Sequence, residues 1–175
     1  MSEIVIQCVL ERFADQVIDT HSKLGDDTIA LRNDRLLPLL EYLRDDERLA
    51  FDMPIDLTVV DWYRRREPRF DVVYHLYSTT KKHRIRLKVQ VDEDNPVVAS
   101  SNPVWPGFDW YEREAYDLYG IEFAGHPKMK RIMMWEGFEG HPLRKDYPIN
   151  RRQPLHILMD EERKEQAAKR APQEA

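Results

Sequence analysis

Between Glu112 and Pro148 the chain gathers Glu112-Arg113-Glu114, Asp117, the triplet Gly125-His126-Pro127, Arg131, and the run Gly140-His141-Pro142-Leu143-Arg144-Lys145-Asp146-Tyr147-Pro148. Two carboxylates and two imidazoles in this stretch, Glu112, Asp117, His126 and His141, are the groups a freestanding acid–base enzyme would use. The same side-chain types suit a divalent ion, but no His-Glu-x-x-His pair is present, and each of the two histidines precedes a proline that pushes it toward extended backbone. Glu112 and Glu114 lie two apart, so a helix turns them to different sides; Glu112 with Tyr116 and Arg113 with Asp117 are the spacings that meet. Gly120 to Gly125 has the spacing of a phosphate loop, yet His126 and Pro127 stand where its Lys and Ser or Thr belong. A single cysteine, Cys8, excludes an internal disulfide and a four-thiolate iron–sulfur or zinc site.

These residues need a scaffold. Val9 and Leu10, Phe13 and Ala14, and Val17 and Ile18 form one apolar stripe, which predicts a helix through Ile18. A short strand follows at Thr28 to Arg32. Asn33 or Asp34 then caps a second helix carrying Leu36, Leu37, Leu39, Leu40 and Leu43, with Pro38 near its first turn, where a missing N–H costs little. Residues Ile55 to Arg64, Arg69 to Ser78 and His83 to Asp92 alternate apolar and polar side chains and read as three antiparallel strands. A turn at Thr79 to Lys82 sets Leu76, Tyr74, Val72 and Phe70 opposite Ile85, Leu87, Val89 and Val91, so every pair on that face is apolar. The other face sets Tyr77, His75 and Val73 against Arg84, Arg86 and Lys88, a basic stripe read as a solvated or partner-facing surface.

A third helix carries Phe108, Tyr111, Ala115 and Leu118 on one face and Glu112, Arg113, Tyr116 and Asp117 beside them, and Gly120 ends it. Ile121 to Pro154 has no long periodic segment. The expected architecture is α+β: a two-layer α/β sandwich with a mixed, largely antiparallel sheet and two N-terminal helices, followed by a C-terminal helix and a long extended segment. The expected division is an α/β core over 1–104, the charged helix plus a partner-docking segment over 105–159, and a charged tail over 160–175. With 42% hydrophobic and 34% charged residues and a net charge of −5, no global positive field draws the chain to nucleic acid or anionic lipid. The start lacks a secretory signal and no apolar run reaches the length of a membrane span, so the chain is expected to stay on the cytoplasmic side.

The stretch from Glu112 to Pro148 resembles the hallmark segment of the thirty-kilodalton subunit family of respiratory complex I. The resemblance rests on the Glu-Arg-Glu helix, Asp117 followed by two apolar residues, His126 at the family distance, the basic-then-aliphatic Lys130-Arg131-Ile132-Met133, and the closing Gly140 to Pro148. It covers about the last third of the chain. Met133-Met134-Trp135 stands where many members are more polar, and the chain ends soon after the motif, without the extension or fusion some relatives carry.

The resemblance implies a non-catalytic structural subunit of the peripheral arm of a proton-pumping NADH:quinone oxidoreductase, on the cytoplasmic side of the inner membrane. It implies neighbours that include the quinone-site (ubiquinone) subunit and iron–sulfur subunits, with membrane association only through the complex. It implies no cofactor on this chain, FMN and iron–sulfur clusters residing on partners. The expected interface residues are Glu112, Arg113, Glu114, Asp117, His126, Pro127, Arg131, His141, Pro142, Arg144, Lys145, Asp146, Tyr147 and Pro148, with the charges of His141, Arg144, Lys145 and Asp146 finding their partners on other subunits. The equivalent subunit of a membrane-bound hydrogenase or ferredoxin-dependent complex is the alternative within the family.

Overall fold

A computed structural model describes residues 3–135 and 137–153 of the chain. Its elements run α1 (Glu3–Phe13), β1 (Val17–His21), β2 (Thr28–Leu31), α2 (Leu36–Asp45), β3 (Met53–Asp61), β4 (Phe70–Tyr77), β5 (Arg84–Val91), β6 (Val97–Ala99), α3 (Asp109–Tyr119) and β7 (Glu122–Ala124). Five strands form one sheet in the order β1-β2-β5-β4-β3, and β6 and β7 make a second, two-stranded parallel sheet. In the larger sheet only the β2–β5 pair is parallel, so the expected mixed, largely antiparallel sheet is what forms.

The β4–β5 hairpin has the register the turn at Thr79 to Lys82 dictates, with Phe70 opposite Val91 and Leu76 opposite Ile85. These residues join Val5, Cys8, Val9 and Phe13 of α1 and Leu36, Leu39, Leu40 and Leu43 of α2 in one continuous core. Burial of such side chains drives the two layers together at roughly 1.5–3 kcal/mol each.

Two local expectations are corrected. The first helix does not run through Ile18. Gln16 N–H bonds Phe13 O at 2.9 Å and Val17 N–H bonds Ala14 O at 3.3 Å, a turn that sends Val17 and Ile18 into β1. The β-branched Val17, Ile18 and Thr20 fit a strand beside β2 better than another helical turn. Neither Asn33 nor Asp34 caps α2: Arg35 occupies the cap position without a side-chain bond, and Asn33 Nδ2 donates to Val97 O at 2.6 Å instead.

α3 is seated by aromatic rings. Phe108, fully buried just before the helix, meets Tyr74 of β4, Trp105 and Tyr111 edge-on with centroids 5.6, 6.0 and 6.2 Å apart. Ala115 on the helix and Ile121 and Phe123 after it belong to the same core. The expected charged tail, 160–175, lies outside the described residues.

Candidate functional site

The charged helix begins with a carboxylate turned inward. Glu112 is fully buried, and it accepts hydrogen bonds from Ser100 Oγ at 2.6 Å, Ser101 N at 2.6 Å and Ser101 Oγ at 2.5 Å. Burial pushes its pKa up, with the three donors pulling against that rise. Glu112 is therefore a clasp between α3 and the loop after β6, not part of a solvated helix face. Arg113 does not pair with Asp117. It donates to Lys130 O at 3.1 Å and lies 3.9 Å from Asp109, bridging the helix to the chain that returns past it. Glu114 is exposed.

One turn on, Asp117 is also fully buried and gathers the returning chain around itself. Its Oδ2 accepts from the backbone N–H groups of Ile132, Met133 and Met134 at 3.0, 2.7 and 2.8 Å, while Oδ1 accepts from Arg131 Nη1 at 2.8 Å. Burial alone would raise this carboxyl, but the N–H groups and the guanidinium outweigh it and hold the pKa below the usual carboxylate range. Arg131 also reaches Gly140 O at 3.3 Å, which ties the second Gly-His-Pro triplet to the same hub.

The Gly140–Pro148 run has a specific local task. A helix leaves its last four carbonyls without intrahelical partners. On α3 the first of them, Tyr116 O, takes the N–H of Gly120 at 2.8 Å, where the backbone is left-handed at φ 73°. The other three are capped from Gly140–Pro148: Asp117 O by His141 Nδ1 at 3.0 Å, Leu118 O by Leu143 N at 3.1 Å, and Tyr119 O by Arg144 Nε at 2.6 Å. A carbonyl only accepts, so His141 carries its proton on Nδ1. Burial depresses the His141 pKa, with Arg144 and Arg131 adding to that, so the ring stays neutral while it donates. The Arg144 guanidinium at the negative end of the helix dipole is favourable as well. Gly120 leaves no room for anything larger, since a Cβ there would stand 2.5 Å from His141 Nε2 and 2.9 Å from Arg144 Nη2.

Farther along, the run is locked to the end of the sheet. Arg69, almost fully buried before β4, donates to both oxygens of Asp61 at 2.9 Å, to Asp146 Oδ1 at 2.7 Å and to Glu93. Asp61 Oδ2 also accepts the backbone N–H of Lys145 at 2.9 Å. The Asp146 pKa is lowered by Arg69; at Asp61 burial opposes the same guanidinium and the Lys145 and Tyr63 N–H groups, which prevail.

The expectation that the charges of this run are matched on other subunits is thus corrected for Asp146, which pairs with Arg69, and for His141, whose neutral ring caps a helix carbonyl; Arg144 donates to Tyr119 O and has no carboxylate partner among the described residues. Lys145 alone keeps an exposed side chain with no ion pair among the described residues. Tyr147 stacks on Phe138 and its hydroxyl accepts from Gln153 Nε2 at 2.8 Å, Pro142 is half-buried, and Pro127 and Pro148 are exposed.

The four candidate acid–base groups do not converge. Asp117 and His141 meet only through the Asp117 backbone carbonyl. His126, its side chain buried, accepts the Lys128 N–H on Nδ1 at 3.1 Å and sets Nε2 3.2 Å from Asp109. Among the described residues no three His, Cys, Asp or Glu side chains are placed to hold a metal ion, and no helix is long and apolar enough to cross a membrane. Sequence reasoning missed Asp61, Arg69 and the serine pair. One signal was present: Asp61 follows Leu57 and Val59 on the core face of β3, where a charge demands a partner.

Residues 29–153 match the family described as the respiratory-chain NADH dehydrogenase, 30 Kd subunit. The chain is 54% identical over 126 residues to the C subunit of NADH-quinone oxidoreductase from Rhizobium johnstonii, covering 72% of this chain and 62% of that one. It is 51% identical over 147 residues to the protein of the same name from Caulobacter vibrioides, 84% of this chain and 73% of that one. Against the Roseiflexus protein of that name the identity is 48% over 145 residues, 81% and 83% of the two chains. The chain thus spans under two thirds of the length of some of its relatives. A solved trypsin-resistant fragment of Nqo5, 1–134, is 28% identical with a TM-score of 0.60 over 73% of this chain and 99% of the fragment. A chain of an archaeal membrane-bound sulfane sulfur reductase shares the fold, with a TM-score of 0.70 at 20% identity over 92% and 91% of the two chains.

Proposed function

The chain belongs to the family of 30 kDa subunits of respiratory-chain NADH dehydrogenase, and from that membership we propose that it is a non-catalytic assembly subunit of an NADH:quinone oxidoreductase. On this reading it sits in the peripheral arm beside the quinone-site and iron–sulfur subunits, which hold the FMN and the clusters, on the cytoplasmic side of the membrane. It reaches the membrane only through the complex, whose electron transfer from NADH to quinone drives proton translocation.

The observation that carries the proposal is how the motif spends its titratable groups. Glu112 and Asp117 are fully buried and saturated with hydrogen bonds, and His141 is a helix cap. An acid–base pair needs access to substrate; Glu112 and Asp117 have none, and the Nδ1 proton of His141 is committed to a helix carbonyl. Asp117 and His141 fix the path of residues 131–135 and 137–148 across the end of α3, and Glu112 clasps that helix to the loop after β6. The backbone conformation is settled before any partner arrives, so docking costs little ordering entropy.

The outward side of this region is suited to contact. Trp110 on α3 and Met133, Leu143 and Ile149 after it are exposed large apolar side chains, and Glu114, Pro127, Lys145 and Pro148 are exposed in the same stretch of chain. Exposed aromatic and apolar side chains interspersed with polar ones are the composition of an interface. The test is to resolve native membranes and follow the chain beside NADH:quinone oxidoreductase activity. Comigration with that activity is expected. A chain that runs free at its own mass of 20.9 kDa, or with a complex that does not oxidise NADH, would contradict it.

A further inference from the structure

The loop between β3 and β4 carries Arg64, Arg65 and Arg66 in succession, and nothing in the cap or the lock uses the first two. The loop is held at both ends. Trp62 N–H bonds Arg69 O at 2.8 Å, and Trp62 O accepts from Arg65 N at 2.7 Å and Arg66 N at 3.3 Å. Trp62 Nε1 and the Arg66 guanidinium both bind Asp71, and Asp61 accepts the Tyr63 N–H at 2.9 Å. Arg64 and Arg65 therefore stand exposed at the apex of a fixed turn, with no carboxylate partner among the described residues. Arg64 lies over the Tyr63 ring, its guanidinium carbon 4.9 Å from the centroid. It also holds φ at 58°, a left-handed conformation that glycine would take at less cost.

A concavity of about 550 Å³ opens beside the turn, lined by Tyr63, all four arginines from Arg64 to Arg69, and the carboxylates Glu67 and Glu93. Arg66 and Arg69 are committed to Asp71 and to the Asp61–Asp146–Glu93 set, so the two charges left over are those of Arg64 and Arg65. We propose that the Arg64–Arg65 turn receives a carboxylate-rich peptide segment of a neighbouring subunit, an inference that rests on the assembly reading.

The guanidinium fork takes a carboxylate or a phosphate in bidentate geometry, and the surroundings of the turn favour a peptide carboxylate over a phosphate or an anionic membrane surface. The N–H groups of Arg65 and Arg66 are spent on Trp62 O and cannot join a phosphate cradle, and the Glu67 and Glu93 carboxylates beside the concavity oppose a compact dianion more than a singly charged carboxylate. A chain with net charge −5 is not drawn to an anionic bilayer. The turn is also continuous with the docking region, because Arg69 bonds Asp146.

The experiment uses the intact complex. In Arg64→Lys and Arg65→Lys variants, a carbodiimide joins the introduced amine to any carboxylate in contact with it, and mass spectrometry identifies the linked peptide. An amide to an Asp or Glu of another subunit is expected. Links confined to this chain, including residues 154–175, or no link while the chain remains in the complex, would overturn the proposal.

A double variant, Arg64→Gly with Arg65→Gln, separates docking from folding. It removes the backbone strain, so the isolated chain should melt at the same temperature or higher, while high salt should release about fivefold more of it from the complex than of the unaltered chain. Equal release would refute the inference and leave the assembly reading intact. Absence of the unaltered chain from the complex would refute both. Isolated chain that cosediments with phosphatidylserine vesicles, and loses this in the double variant, would assign the turn to a lipid surface instead.

Discussion

The β4–β5 hairpin and the Gly140–Pro148 run are both well-determined parts of this molecule, but different forces determine them. In the hairpin every inward pair is apolar and the backbone satisfies itself strand to strand, so position follows from periodic burial. The run has no ladder and few buried side chains. Its place is set by a few polar anchors: three helix carbonyls, the Asp117 hub and the Asp61–Arg69–Asp146 lock. Burial is additive and forgiving, whereas an anchor of this sort fails when a single group is lost.

The largest effect should come from the apolar region. Phe108→Ala empties the site that Tyr74, Trp105 and Tyr111 surround and should cost about 3–5 kcal/mol, read as a cooperative fall in the denaturant midpoint of the whole chain. Loss confined to α3 would mean that the helix is not part of the core.

Asp117→Asn removes the charge that three backbone N–H groups and Arg131 share, and about 2–3 kcal/mol should go with it. The loss should be local. Hydrogen exchange should rise across residues 131–144 while the amides of β4 and β5 stay protected. Gly120→Ala attacks the same contact from the helix side and should cost about 1–2 kcal/mol for the left-handed backbone, with more from the overlap with His141 and Arg144. Faster tryptic cleavage after Arg144 would report the run lifting off.

The smallest effect is a pH dependence. The folded pKa of His141 is depressed, so its contribution is complete above about pH 6.5 and is lost as pH falls from there toward the folded value. Asp61, Asp117 and Asp146 are depressed below the ordinary carboxylate value near 3.8, so their contributions persist until the solution is far more acidic. Between these limits the cap should loosen, seen as faster intrinsic-rate-corrected exchange of residues 141–145 at the acid end. His141→Asn should abolish the change.

The contrast also explains what could be read in the sequence. Alternation in residues 69–92 gave the hairpin with its register, and Gly120 gave the end of α3, because each signal is local. Asp117 and His141 stood out as chemistry-bearing, but their partners did not, because a carboxylate that collects backbone N–H groups leaves no mark on the residues donating them. The serines holding Glu112 are eleven and twelve residues upstream of it, and Arg69 is seventy-seven from Asp146. The strands β1, β6 and β7 were missed for a related reason: each is only three to five residues long and takes its form from a neighbour.

If the Gly140–Pro148 run serves assembly and not turnover, Lys145→Glu should impair the first and spare the second. The backbone N–H that bonds Asp61 is kept and only the exposed side chain changes sign, so the isolated chain should unfold within about 0.5 kcal/mol of the unaltered one. Assembled complex on native gels and quinone reductase activity per assembled complex are then measured side by side. Less complex, with each copy turning over at the normal rate, is expected. Full assembly with activity lost would contradict it.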